Sequence, residues 1–239
     1  MSPVSADKNT GRPAPQKPRG QMSEAFLTAA LISVSGGLQD AYTYIQRGEV
    51  FANAQTGNIV LLSQSLFAGN WLRALRYLIP LLSFGAGVAI AEGIRWRSGG
   101  GWKRVHWRQW VLLTEIALLF FVGFLPAGLD LAANAVVSLA CAMQVQAFRK
   151  VEGNAFASTM CIGNLRSGVE ALCAHRRTRD RALLRRAGEY FGIILLFALG
   201  AGLGSLLIPR WGMRTIWASC LLLTLGFLLM LWDRQPAQD

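Results

Sequence analysis

Two segments repeat one pattern: VFANAQTGNIVLLSQSLFA at Val50 to Ala68, and NAFASTMCIGNLRSGVEALCA at Asn154 to Ala174. Each carries Phe-Ala, a polar run, Gly-Asn, and a short apolar segment that closes on Ala. Both are too polar for an ordinary membrane span, yet the chain around them is hydrophobic. Of its 239 residues 53% are hydrophobic and only 15% charged, where a soluble domain carries about 25% charged residues. Ile216 to Trp232 holds no charge, and Trp110 to Pro126 holds only Glu115. A helix needs roughly 20 such residues to cross a hydrocarbon core of about 30 Å, so these stretches read as membrane spans.

The apolar stretches number eight, at about 26–45, 51–68, 77–94, 110–127, 131–148, 155–174, 190–208 and 215–232. Sliding the chain by 106 residues places Gly57-Asn58 on Gly163-Asn164, Asp40-Ala41-Tyr42 on Gln146-Ala147-Phe148, and Ala68 on Ala174. With about nine extra residues in the next basic loop, Gly85-Ala86-Gly87 falls on Gly200-Ala201-Gly202. At an offset of 103, Gly123-Phe124 falls on Gly226-Phe227. Correspondences in consecutive order predict a duplication: a first membrane repeat over 24–130 and a second over 131–234. A disordered basic Pro-rich tail at 1–23, without the apolar core of a signal peptide, and a short tail at 235–239 flank them.

Charge decides how the halves face. If all eight stretches cross with the N-terminal tail inside, 13 Lys and Arg lie in the cytoplasm and ten outside. If 51–68 and 155–174 instead dip in and return, the count becomes 18 against five, with Arg166 inside a stretch and uncounted. The second arrangement satisfies the positive-inside rule. It predicts an all-α membrane protein of six transmembrane helices plus two short re-entrant half-helices, arranged as two inverted three-span repeats with both termini cytoplasmic. Local chemistry agrees, because re-entrant backbone is tolerated where protein shields it.

In this reading the chain turns near Gly57 or Gly163, and Thr56, Asn58 or Asn164 caps the half-helix that follows. Ile162, where the first copy has Thr56, removes one cap from the second. Two helix N-termini then meet near the bilayer centre, where unsatisfied N–H groups favour an anion or polar solute. The candidate solute-binding residues are Asp40, Asn53, Gln55, Thr56, Gly57 and Asn58 of the first copy, with Gln146, Gly163 and Asn164 of the second. The alternative is that Gly-Asn merely caps two buried helices with no pathway between them. Asp40 either receives a proton or holds the polar stretch by a hydrogen bond; Glu115 is a further intramembrane acid. Arg166 and Glu170, four apart, are placed to pair with each other. Gly85, Gly87 and Gly93, and Gly200, Gly202 and Gly204, form faces that let helices approach closely.

Other classes are disfavoured. The net charge of +11 sits in short loops rather than along a helix face, so it reads as a topology signal and not as a nucleic-acid footprint. The only histidines, His106 and His175, lie in basic loops, and no nucleophile, zinc or phosphate-loop motif is present. Cys141, Cys161, Cys173 and Cys220 form no C-x-x-C pair and read as small hydrophobes. The expectation is therefore no catalytic residue, no metal and no cofactor, with the lipid bilayer and a small polar or anionic solute as partners. A non-transporting scaffold is the competing reading.

GGLQDAYTYIQRGEVFANAQTGNIVLL at Gly36 to Leu62 and ASTMCIGNLRSG at Ala157 to Gly168 resemble the YoaK-like family of bacterial integral membrane proteins, a domain of unknown function. The resemblance covers the chain after its tail and implies a multi-pass protein of the bacterial inner membrane. Relatives usually read Thr-Gly-Asn at the second motif, so Ile162 is a departure.

Overall fold

The computed structural model describes residues 26–98, 107–151, 154–155, 159 and 161–232. The two tails and the loop carrying Lys103, Arg104 and His106 lie outside the described residues. Eight α-helices follow the eight apolar stretches: α1 Phe26–Gln46, α2 Gln55–Phe67, α3 Trp71–Ser98, α4 Trp107–Val122, α5 Asp130–Ala147, α6 Cys161–Thr178, α7 Arg181–Trp211 and α8 Ile216–Trp232. Among the described residues the remaining regular structure comprises two 3-10 turns, Ala127–Leu129 and Gly212–Thr215, and a two-residue antiparallel ladder between β1 Lys150–Val151 and β2 Asn154–Ala155.

Local chemistry sets the helix ends. Ala68 and Gly69, the latter at φ 71°, stop α2, and the Asn70 side chain then accepts from the Arg73 N–H at 3.1 Å to open α3. Asp180 likewise accepts from Ala182 at 2.9 Å and caps α7, whose far end stops at Gly212, φ 52°. These caps start α3 and α7 six and nine residues earlier than hydrophobicity alone predicts.

Among the described residues three segments are long and apolar enough to cross a bilayer: Trp71–Arg97, Ala127–Ala147 and Arg181–Trp232, the last holding both α7 and α8. Polar side chains enter the interior while apolar ones cover the exterior of the long helices. Ser33, Ser35, Gln39, Thr43, Ser138 and Gln144 are buried, whereas Leu195, Leu199 and Leu206 of α7 and Leu221, Leu225 and Leu228 of α8 are exposed. That distribution suits a hydrocarbon surround, in which apolar side chains incur no penalty outside.

Each principal packing pair has a counterpart four helices on. Helix α1 packs on α7 as α5 packs on α3; α2 lies on α3 as α6 lies on α7; α1 meets α8 as α5 meets α4; and α4 meets α8. The α1–α7 crossing brings backbones together. A Cβ on Gly37 would stand 1.9 Å from the Phe197 carbonyl oxygen, and one on Gly200 1.9 Å from that of Val34. On α3 a Cβ at Gly87 would stand 2.3 Å from the Leu139 carbonyl oxygen of α5. Gly85, Gly93 and Gly202 face open space, so only part of the expected glycine faces mediates close approach.

Arg47, just past α1, is fully buried. Its guanidinium donates to the Tyr42 hydroxyl at 2.8 Å, to the Val122, Leu125 and Pro126 carbonyls at 2.8–3.2 Å, and to Asp130 at 3.0 Å. Val122 closes α4, and Leu125 and Pro126 belong to the turn that follows, so the cation stands at the negative end of that helix; the Val122 and Pro126 carbonyls also accept from the Leu125 and Leu129 N–H groups. A second buried group centres on Gln39, which donates to Ser35 at 3.0 Å and to Glu115 at 3.3 Å and accepts from the Cys141 thiol at 2.7 Å.

The crossing yields a direct expectation. Gly37→Ala forces a methyl into backbone and lowers stability by about 3 kcal/mol, the upper range for overpacking. Gly202→Ala, in open space, changes stability by less than about 1 kcal/mol. Thermal unfolding of the detergent-solubilised pair reads the difference.

Candidate functional site

The site is built around irregular chain between α1 and α2. Residues 47–54 leave α1 and return toward it, so their backbone groups need partners other than a helix ladder. Asp40, on α1, accepts from the Asn53 backbone N–H at 2.7 Å and from the Asn53 side-chain amide at 3.5 Å. That amide also donates to the Gly36 carbonyl at 3.2 Å. Both neighbours of the amide nitrogen are acceptors, which fixes its orientation and leaves the Asn53 Oδ1 atom without a partner. Asn53 is 7% exposed.

Asn58 makes the second anchor. Its Oδ1 accepts from the Phe51 N–H at 3.0 Å, and its Nδ2 donates to the Phe51 carbonyl at 2.6 Å and to Gln55 Oε1 at 2.9 Å. One amide side chain thus satisfies both backbone groups of Phe51, as a neighbouring strand would. Gln55 in turn donates to the Ala52 carbonyl at 2.7 Å.

This corrects the expected role of the Gly-Asn pair. Helix α2 opens after Ala54 with no side-chain cap, so neither Thr56 nor Asn58 caps it. Gly57 is inside the helix and is not among the residues of positive φ. Its lack of a side chain makes room instead, since a Cβ there would lie 3.0 Å from the Phe51 ring. Gly163 likewise lies inside α6, with open space around it, and Asn164 is buried as the fourth residue of that helix.

A cavity of about 770 Å³ opens where these elements meet. Asp40, Asn53, Gln55 and Thr56 line it from one side and Thr159, Cys161, Ile162 and Gly163 from the other. Tyr44, Phe51, Phe84 and Phe197 supply aromatic wall. The first turns of α2 and α6 therefore face one space. Helix lengths explain how they reach it: α2 has 13 residues, about 20 Å, and runs back along the first half of α3 to the level of Phe84. Helix α6, of 18 residues, runs along α7 to the level of Phe197, again near the middle of its neighbour.

The two faces differ in charge. The Asp40 carboxylate stands against the chain entering α2 and offsets the positive end of that helix. Its counterpart Gln146 is elsewhere: it donates to Glu92 of α3 and accepts from Arg149 at 2.7 Å. Gln146 is therefore separated from the cavity that Asp40, Asn53, Gln55 and Thr56 line, because a residue of the other half, Glu92, holds it. Asn58 and Asn164 are buried and do not line the cavity. Arg166 and Glu170 form no ion pair despite their spacing; both are exposed. Among the described residues no cluster of three His, Cys, Asp or Glu is placed to hold a metal. Sequence reading overlooked Gln39 and Arg47, although a glutamine beside Asp40 in an apolar stretch was a usable signal.

Residues 28–229 match the family described as protein of unknown function, DUF1275. The chain belongs to this family. It is 25% identical over 203 residues to the UPF0700 transmembrane protein YoaK of Bacillus subtilis (strain 168), an alignment covering 81% of this chain and 88% of that protein. No solved structure matches the chain. Family membership and the apolar helices make this an integral membrane protein.

The anchor at Phe51 predicts that Asn58→Asp destabilises the protein by about 1–3 kcal/mol, because a carboxylate oxygen replaces the donor facing the Phe51 carbonyl. Thermal melting and protease cleavage within 48–54 would report it, with Gln64→Glu, on the exposed side of α2, as the unaffected control.

Proposed function

We propose that this protein passes a small polar or anionic solute across the bacterial inner membrane through the cavity between α2 and α6. The observation that carries the reading is that the first turns of both helices line one space halfway along α3 and α7. Helix N-termini facing a mid-membrane cavity present N–H groups and partial positive charge to a solute. The α6 end is the stronger anion-facing side, since Asp40 already offsets α2. The unpartnered Asn53 Oδ1 supplies an acceptor for a donor group on the same solute.

In this reading α1–α4 and α5–α8 are inverted repeats of three spans and one re-entrant half-helix each. Helix α2, at about 20 Å, is too short to cross about 30 Å of hydrocarbon, which supports re-entry. The recurrence of packing pairs four helices on supports the duplication. The charge count of 18 against five supports cytoplasmic termini.

Cysteine labelling in a cysteine-free background tests the topology. Glu49→Cys and Asn70→Cys flank α2 and are expected to label from one side of the membrane; labelling from opposite sides means that α2 crosses. For the function, purified protein in liposomes is expected to take up at least one member of a panel of small anions and neutral polar metabolites, and Asn53→Leu to reduce that uptake at least tenfold. No uptake of any member, with a cellular phenotype indifferent to Asn53→Leu, would leave the scaffold reading standing.

A further inference from the structure

A second cavity, of about 790 Å³, lies away from the solute site along the seam of α4 and α8. At its mouth stand Arg210, in the last turn of α7, and Arg214, in the 3-10 turn that follows. Both are exposed, and among the described residues neither has a carboxylate partner. Below them the lining is apolar, Ile116 and Phe120 of α4 with Trp217 and Leu221 of α8, and it ends at Thr224, whose hydroxyl donates to the Cys220 carbonyl of its own helix.

The floor is rigid. Trp217 donates its indole N–H to the Phe120 carbonyl at 3.0 Å and stacks on the Phe120 ring at 5.6 Å, with Phe124 at 5.1 Å on another side. Gly123 makes this packing possible, because a Cβ there would stand 2.0 Å from the indole nitrogen. The Arg214 guanidinium lies 5.8 Å over the Trp217 ring, so aromatic contact holds one cation at the mouth.

The groove also has a length. From Trp217 to Thr224 the lining residues recur every three or four positions on one face of α8, and with the 3-10 turn before it the stretch from Arg214 spans about 15 Å, half of a hydrocarbon core. A charged mouth, an aromatic collar and an apolar channel one leaflet deep match a phospholipid: phosphate between the arginines, one acyl chain along α8 against α4. We propose that this seam is a binding site for an anionic phospholipid. A zwitterionic lipid fits the channel equally but carries a cation toward the two arginines, so the net negative headgroup is preferred. A free phosphate ester would use the mouth and leave the channel empty.

The test uses full-length, delipidated protein in neutral detergent, titrated with phosphatidylglycerol, phosphatidylcholine or glycerol phosphate and followed by native mass spectrometry and thermal melting. Phosphatidylglycerol is expected to bind about tenfold more tightly than phosphatidylcholine, as two interfacial cations imply. Glycerol phosphate is expected to leave the melting temperature unmoved. The double variant Arg210→Gln/Arg214→Gln, changed only at exposed positions, is expected to abolish the preference while still melting cooperatively. Leu221→Trp, which fills the channel, is expected to weaken both lipids. Equal binding of the two lipids, retention of the preference by the double variant, or equal stabilisation by glycerol phosphate would each overturn the assignment.

Discussion

The backbone contact between α1 and α7 at Gly37 and Gly200 is the constraint on which the rest of the structure depends. Helices that carry side chains at their crossing stand 8–10 Å apart; glycines facing backbone on both sides permit a closer seat. That seat brings Phe197 and Ala201 beside the end of α1 that bears Asp40, and so encloses one wall of the main cavity. The related contact at Gly87 joins α3 to α5. Because each pair takes one helix from each half of the chain, the halves interlock instead of standing side by side.

Around that crossing, amide and carboxyl side chains complete the hydrogen bonding that irregular chain lacks inside an apolar surround. Asn58 serves both polar groups of Phe51, and Asp40 holds Asn53. Buried backbone groups left without such partners would each cost several kcal/mol in hydrocarbon. The same residues therefore shape the cavity and stabilise it, and a substitution there perturbs the fold and the cavity lining together. The segment that opens α6 has a buried asparagine as α2 does, but it brings Ile162 to the cavity where α2 brings Thr56, and no carboxylate like Asp40 lines that side, which gives the cavity two chemically different ends.

Much of this was legible in the sequence. Composition and charge-free length marked the membrane helices, and the repeated Gly-Asn segments marked the two helices whose first turns share a space. What could not be read were contacts set by folding. A Gly-Asn pair signals a turn locally, but here the glycine clears a phenylalanine ring and the asparagine bonds to chain seven residues back. Register placed Gln146 level with Asp40, yet Glu92 on a helix of the other half claims it. Short-range caps at Asn70 and Asp180 extended α3 and α7 beyond their apolar cores, because a cap side chain stabilises a first turn whatever its hydrophobicity.

Arg47 carries a mechanical consequence. One guanidinium rivets the strand of chain leaving α1 to the corner where α4 turns into α5, closing the first half of the molecule into a ring. Its donors are fully used, so slackening the ring would leave a buried cation without its partners. Any rocking of one part of the protein against another must therefore carry α1, the end of α4 and the start of α5 as one rigid frame. Gly69 and Gly212, both at positive φ, lie outside that frame, in the turns that end α2 and α7.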